Sequence, residues 1–245
     1  MKVIIVIRNI IQIQQSLISS GYGHLAAEPK NIICNYDLNA ISAVLTAQNA
    51  KEITETIAVS IGSDEIDPML EYCLALGVNK TVKLSSPKPD YSLLGQAKML
   101  HSYVKGFNEY VVIFAHNSGT NEINAIAPML AMLLECSELN MAMGLKFVGN
   151  NCIAQYRKGL SIMEVKLGLP AVITINSSSS DVAVATLYDL MRVDASQIAA
   201  VEIDQNTGEN TTPHKYYKTE LSKKECEIFD DMSSLHNALK TVAIL

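Results

Sequence analysis

Short apolar runs rich in β-branched residues alternate along the chain with longer segments whose apolar residues recur at helical spacing. The runs cover residues 3–7, 56–61, 80–84, 110–115 and 171–175. The helical segments lie at about 38–45, 69–76, 92–105 and 121–135. This alternation predicts an α/β fold, an open, mainly parallel sheet with helices on both faces.

A different pattern interrupts this alternation in the second half of the chain. Residues 152–156 and 161–165 alternate between apolar and polar across a turn at residues 157–159. That arrangement is typical of a β-hairpin. We therefore expect an antiparallel excursion before the last parallel strand, which is predicted at residues 171–175.

The last part of the chain is polar and carries too few apolar residues for a core of its own. We expect a nucleotide-binding α/β domain at residues 1–200 and a C-terminal arm at residues 201–245. The apolar residues after position 216 are widely spaced, which suits a segment that packs on another surface. That surface is either a partner subunit or the α/β domain itself.

Composition narrows the class of protein. The 245 residues are 49% hydrophobic and 18% charged, which suits a folded core. The net charge of -6 and the absence of a basic run interleaved with aromatics argue against a nucleic-acid partner. No apolar stretch reaches the roughly 20 residues of a membrane span. The five cysteines form no C-x-x-C pair, which predicts free thiols in the cytoplasm and no structural zinc.

Common catalytic signatures are missing from the sequence. It contains no G-x-G-x-x-G, Walker A, G-x-S-x-G or H-E-x-x-H motif, and its histidines lack metal-ligand spacing. His116 is the partial exception, because it follows a predicted central strand and could act as a general acid or base. We therefore predict a binding protein rather than an enzyme, with no catalytic residues.

Two loops that join strands to helices are the best candidates for a binding site. Residues 60–64 follow one predicted strand and residues 116–122 follow another, and both are rich in small polar residues. Ligands of open parallel sheets collect at the carboxyl ends of the strands, where helix N–H groups are available. The alternative is ordinary helix capping by Ser63 and by Thr120 or Asn121.

Three segments in the same order resemble the beta subunit of electron transfer flavoprotein. Asn35 to Ile41 is similar to that family's opening of the first helix. Ala58 to Gly62, followed by Leu74 to Asn79, is similar to its A-V-S-x-G and A-L-x-x-G-A-D motifs, and Leu169 to Thr174 to its L-P-A-V strand. The resemblance covers roughly residues 1–200 and includes the branch associated with anaerobic acyl-CoA and carnitine metabolism.

The resemblance implies a partner and cofactors. An electron transfer flavoprotein alpha subunit would share FAD with this chain, and an acyl-CoA-type dehydrogenase would supply electrons. The beta subunit also binds AMP, or a second FAD in electron-bifurcating members. The resemblance and the two loops together place that nucleotide near Val6, Asn35, Tyr36, Asp37, Leu38, Ser60, Ile61, Gly62, Asn117, Ser118, Asn121, Glu122, Asn124 and Ile126. Asp37 has a second interpretation, as a favourable acidic residue in the first turn of its helix.

The sequence departs from the family pattern at two places. The family's Q-T-G is replaced around Ile126 and Ala127, which removes a threonine hydroxyl from the expected phosphate end. The leucine-bearing loop that recognises dehydrogenases is replaced by the serines at 177–180. The sequence therefore leaves two functions open: an electron-carrying beta-like subunit, or a free-standing adenine-nucleotide-binding or sensor protein that has lost electron transfer.

Overall fold

The sheet and its helices are seen in a computed structural model that describes residues 1–8, 10–12, 30–48, 53–87, 92–117, 125–149, 151–176, 182–204 and 228–241. The strands are β1 (Lys2–Val6), β2 (Ile10–Gln12), β3 (Lys30–Ile32), β4 (Glu55–Ile61), β5 (Lys80–Ser85), β6 (Tyr110–Ala115), β7 (Ser137–Val148), β8 (Asn151–Lys158), β9 (Ser161–Gly168), β10 (Ala171–Ile175) and β11 (Ile198–Glu202). The α-helices are α1 (Asn35–Gln48), α2 (Asp67–Ala75), α3 (Leu93–Val104), α4 (Ile126–Leu133), α5 (Leu187–Met191) and α6 (Met232–Thr241).

Within the described residues, nine strands form one sheet in the order β11-β5-β4-β1-β6-β10-β7-β8-β9. The pairings from β11 to β7 are all parallel, and β7, β8 and β9 pair antiparallel. A separate antiparallel pair joins β2 and β3. The predicted α/β fold with a mainly parallel sheet is therefore confirmed.

Helices cover both faces of the central strands. Alternate residues of β1 point to opposite faces: Ile5 packs with α1 and α2, whereas Ile4 packs with α3 and α4. Because both faces are covered, β6 and β10 are buried along their whole length. Strands that are buried on both faces have continuous apolar sequences, and for this reason the sequence pattern predicted both of them.

The β-hairpin is also confirmed. Strands β8 and β9 pair antiparallel across a turn in which Gly159 has a φ of 62°. A positive φ is costly for residues with a Cβ, so a glycine suits this position. The hairpin extends the sheet beyond β7, which pairs parallel with β10 on one side and antiparallel with β8 on the other.

Three details of the sequence analysis need correction. Residues 171–175 are not the last parallel strand, because β11 pairs parallel with β5. The fourth helix begins at Ile126 rather than about residue 121, with Pro128 in its first turn, where its missing N–H costs nothing. Ser63 precedes a 3₁₀ turn at Asp64–Ile66, and its side chain makes no capping hydrogen bond.

The chain divides into two compact units, Met1–Asn210 and Thr211–Leu245. Strand β11 runs across residue 200, where the sequence analysis puts the start of the arm. In the second unit the structure describes residues 228–241. There, α6 begins after Asp231, whose carboxylate accepts a hydrogen bond from the Ser234 N–H at 2.8 Å. The proposed arm and its boundary stay predictions.

Candidate functional site

The carboxyl ends of three adjacent parallel strands define the candidate site. Strand β1 lies between β4 and β6, so the residues that follow β4 and β6 lie at the same edge of the sheet. Gly62 follows β4 and Asn117 follows β6 at that edge. This is the arrangement in which open α/β sheets bind ligands.

A buried ion pair between Arg8 and Asp37 lies at this edge. The Arg8 Nη2 donates to Asp37 Oδ1 at 2.9 Å, and the Arg8 backbone N–H donates to Asp37 Oδ2 at 3.1 Å. The side chains are 12% and 0% exposed, respectively. Asp37 therefore does more than favour the start of its helix: it joins the first turn of α1 to the end of β1.

The same guanidinium also reaches the segment after β6. Its Nη2 donates to the Ala115 carbonyl at 3.3 Å and to the Asn117 carbonyl. Sequence reasoning missed Arg8 because its partners lie 29 and more than 100 residues away along the chain. The only available signal was a charged residue directly after a buried strand.

Burial dominates the electrostatics of this cluster. Desolvation raises the pKa of the Asp37 carboxyl above its usual range, and the Arg8 guanidinium and N–H oppose that rise. The neighbouring Cys34 sulfur accepts a hydrogen bond from the Asp37 N–H at 3.3 Å. Burial, followed by the negative charge of Asp37, raises the pKa of the Cys34 thiol to about 11. Cys34 is therefore a packed thiol rather than a nucleophile.

Buried polar atoms without a hydrogen-bond partner show whether this edge could accept a polar ligand such as a nucleotide. Ser60 is fully buried near the end of β4, and its hydroxyl has no hydrogen-bond partner among the described residues. Arg8 Nε is also buried at this edge, with no hydrogen-bond partner in the described part of the chain. Thr81 Oγ1 is a third such atom, near the opposite end of β5. Because buried polar atoms are nearly always satisfied, the first two fit a polar ligand at the carboxyl edge.

Gly62 has a structural role in this loop. Its N–H donates to the Leu84 carbonyl at 3.0 Å, so it is not an open donor for a ligand. A Cβ at this position would lie 2.9 Å from the Ile66 Cγ2 atom. Glycine therefore lets the 3₁₀ turn pack closely against the end of β4.

The other predicted site residues fall into three groups. Asn35 is exposed at the start of α1, and Tyr36 and Leu38 are partly buried there. Val6, Ile61 and Ile126 pack with the apolar core on the α3 and α4 side of the sheet, Val6 and Ile126 being buried. Ser118, Asn121, Glu122 and Asn124 lie outside the described residues. The structure thus brings Asp37, Ser60 and Gly62 to one edge with Asn117.

His116 belongs to a separate polar cluster at the same edge. Its Nδ1 lies 3.0 Å from the amide oxygen of Asn140, which also accepts a hydrogen bond from the Thr174 hydroxyl. The Thr174 hydroxyl in turn accepts from the Met141 N–H at 2.8 Å, and Met141 has a φ of 60° at an irregularity in β7. His116 is oriented by an amide rather than a carboxylate, unlike the base of a catalytic triad.

A second charged cluster joins Lys83 of β5 to two acidic residues that follow β4. Lys83 Nζ contacts Asp64 Oδ1 at 2.6 Å and Asp67 Oδ1 at 2.8 Å. The Lys83 side chain is 11% exposed, whereas Asp64 and Asp67 are 95% and 31% exposed. The hydrogen bonds that the Lys83 ammonium donates to the Asp64 and Asp67 carboxylates raise the pKa of Lys83. This cluster joins β5 to the start of α2.

An exposed apolar segment follows the serine tract, whose residues 177–181 lie outside the described residues. Backbone N–H groups attach it to the domain: Ala183 donates to Ser42 Oγ at 2.7 Å, and Ala185 to the Tyr72 hydroxyl at 3.3 Å. Its exposed apolar side chains are Val182, Val184, Leu187, Tyr188, Leu190 and Met191. The sequence did not predict this surface, because apolar residues in a short segment do not reveal which side of it is exposed.

The fold defines an α/β protein with an open, mainly parallel sheet, a class in which ligands bind at the carboxyl ends of the strands. The chain is similar to proteins named electron transfer flavoprotein subunit beta, mitochondrial, from Oryza sativa subsp. indica (27% identity over 165 residues) and subsp. japonica (26% over 165). It is also similar to a probable electron transfer flavoprotein subunit beta from Saccharomyces cerevisiae, at 27% over 172 residues.

These matches cover 66 to 68% of this chain, and the chain covers 65% of the length of each relative. No family model matches the sequence. The comparisons therefore support the resemblance to electron transfer flavoprotein beta subunits. Among the described residues, no helix has the length and apolar character needed to cross a bilayer.

Proposed function

We propose that this chain is a beta-like subunit of an electron transfer flavoprotein, which pairs with an alpha-like subunit and carries electrons rather than catalysing a reaction. The observation that carries the proposal is its similarity, over two thirds of its length, to proteins named as such beta subunits. The anaerobic acyl-CoA and carnitine branch is the setting that we propose for it. The four cysteines of the described residues are free thiols, which supports a cytoplasmic location.

An adenine nucleotide, AMP or a second FAD, is proposed at the carboxyl edge of β4, β1 and β6. Ser60 would donate or accept a hydrogen bond, and Asp37 and Arg8 would fix the first turn of α1 beside it. The proposed site continues into Ser118, Asn121, Glu122 and Asn124. FAD, when bound at the junction with the alpha-like subunit, supplies the reversible redox chemistry. The protein residues bind and orient it.

The exposed apolar segment at residues 182–191 supports the proposed partners. Contiguous apolar surface on a soluble domain marks protein contacts, and this segment is held in place by hydrogen bonds to α1 and α2. Arg192 lies over the Tyr188 ring at 5.5 Å from the ring centroid, which adds a cation beside the apolar surface. The surface suits an alpha-like subunit or an acyl-CoA-type dehydrogenase.

Co-expression tests the proposed function. The full chain is produced alone and together with an alpha-like subunit encoded beside it, and each preparation is purified through a tag on this chain. We expect flavin absorbance only in the co-expressed preparation, together with a one-to-one complex. A colourless preparation with no retained partner would contradict electron transfer and favour the free-standing nucleotide-binding or sensor protein.

A further inference from the structure

The Arg8 side chain connects three segments that are distant in sequence. It follows β1, it pairs with Asp37 in the first turn of α1, and it donates to the Ala115 and Asn117 carbonyls at the end of β6. All three segments lie at the edge where the nucleotide is proposed to bind. Arg8 is thus placed to fix the distances between them.

The stability of the fold does not by itself explain why Arg8 and Asp37, rather than two apolar residues, occupy these buried positions. The side chains are 12% and 0% exposed, and removing two charges from water offsets most of their mutual attraction. A well-packed apolar pair of similar volume is often as stable. An apolar pair, however, could not donate to the Ala115 and Asn117 carbonyls, as the Arg8 Nη2 does.

The neighbouring Lys83 cluster shows what is particular to Arg8. Lys83 also joins a strand to a helix start, but among the described residues its amine contacts only the Asp64 and Asp67 carboxylates, and Asp64 is almost fully exposed. Both acceptors lie within 20 residues of Lys83 along the chain. Arg8 instead reaches from α1 across β1 to the end of β6, which spans the proposed crevice.

We propose that Arg8 is a positioning residue that sets the separation between the first turn of α1 and the segment following β6, and thereby shapes the nucleotide crevice. It acts through Asp37 and the two carbonyls, and its charge is offset by Asp37 rather than offered to a phosphate. The inference rests on the proposed nucleotide binding. It adds a residue for which the family resemblance gave no role.

Two variants distinguish the effect of the Arg8 contacts from the effect of its positive charge. Arg8→Lys keeps the positive charge, but its side chain is one bond shorter, so its ammonium ends short of the position of the Arg8 Nη2 that makes the three contacts. Arg8→Met combined with Asp37→Asn removes both charges, so no buried charge is left unpaired, and it removes all donors to the Ala115 and Asn117 carbonyls. Lys83→Met is the matched control, because it breaks an ion pair at the same edge that does not reach β6.

Three measurements on the full-length chain are compared: amide hydrogen exchange in residues 33–40 and 110–117, AMP affinity by isothermal titration, and the urea midpoint of unfolding. We expect both Arg8 variants to exchange faster in both segments. We also expect them to bind AMP about three- to tenfold more weakly, the effect of about one lost hydrogen bond. The double variant should keep a urea midpoint close to that of the wild type, and Lys83→Met should leave exchange and AMP affinity unchanged.

The outcomes distinguish the two levels of the proposal. Unchanged exchange in residues 33–40 and 110–117 of the double variant, or of Arg8→Lys should the double variant not fold, overturns the positioning role even when wild-type protein binds AMP. Wild-type AMP affinity retained by Arg8→Lys would also overturn it, since charge alone would then suffice. Wild-type protein that binds neither AMP nor FAD would overturn the proposed nucleotide site, and the inference with it.

Discussion

Two ion-paired clusters at the same edge of the sheet are built in opposite ways. Arg8 and Asp37 are buried together, and every oxygen of the Asp37 carboxylate accepts a hydrogen bond from Arg8. Lys83 is nearly buried, but its partner Asp64 is 95% exposed. The first cluster can hold its segments only while both partners are present, whereas water can replace either partner of the second. The comparison predicts that similar substitutions have different effects at the two sites.

The largest expected effect follows Asp37→Ala. This substitution leaves the Arg8 guanidinium buried without a counter-charge, so we expect the free energy of unfolding to fall by about 3–5 kcal/mol. Urea denaturation monitored by circular dichroism measures the change. Asp64→Ala is the matched control and should shift the urea midpoint only slightly, because its carboxylate is exposed. Equal shifts for the two variants would show that burial does not distinguish the clusters.

Thiol reactivity provides a kinetic measure of the same packing. Burial, followed by the nearby Asp37 charge, raises the pKa values of Cys34 and Cys73 to about 11 and about 12. Burial raises that of Cys152 to about 12. At pH 8 a thiol-reactive reagent should therefore modify these three thiols orders of magnitude more slowly in the folded protein than in the urea-unfolded chain. Mass spectrometry after timed labelling identifies the sites. Rapid labelling of Cys34 in the folded wild type would contradict the packing described around Asp37.

The sequence predicted the parallel strands well because burial on both faces produces continuous apolar runs. Strands β7 and β11 were missed for the opposite reason: both lie towards the ends of the sheet, and much of each is exposed. The Arg8 cluster could not be predicted either. A single charged residue after a strand does not reveal which distant carboxylate or carbonyl it meets, and that pairing depends on strand order.

A smaller loss is expected for Lys83→Met. The two carboxylates released by this change lie partly or largely in solvent, so about 0–1 kcal/mol of stability should be lost. Urea denaturation of Lys83→Met and Asp37→Ala under the same conditions compares the two losses of stability directly. A loss as large as that of Asp37→Ala would mean that the Lys83 cluster stabilises this edge as strongly as the Arg8 pair does.

An effect of similarly small size concerns Glu55, at the opposite end of β4. Hydrogen bonds from Lys80 and Lys2, at 2.5 and 3.1 Å, lower the pKa of its carboxyl. A carboxyl with a lowered pKa stabilises the folded state above its unfolded pKa, and that contribution is lost as the pH falls through the folded value.

Wild-type protein should therefore exceed Glu55→Gln in stability by about 0.2–1 kcal/mol at pH 7, because both lysines are substantially exposed. The difference should shrink between about pH 5 and pH 3. Urea midpoints at each pH measure it. A difference that grows on acidification would contradict the lowered pKa.

Identification of the nucleotides in the purified complex is the decisive test of the proposed flavoprotein subunit and its nucleotide site. The full chain, co-expressed with the alpha-like subunit, is denatured, and the released small molecules are identified and quantified by liquid chromatography and mass spectrometry. We expect one FAD per complex together with one further adenine nucleotide, AMP or FAD, whose amount falls in the Arg8→Met, Asp37→Asn variant. A complex that releases no adenine nucleotide would contradict both the flavoprotein assignment and the site at the carboxyl edge.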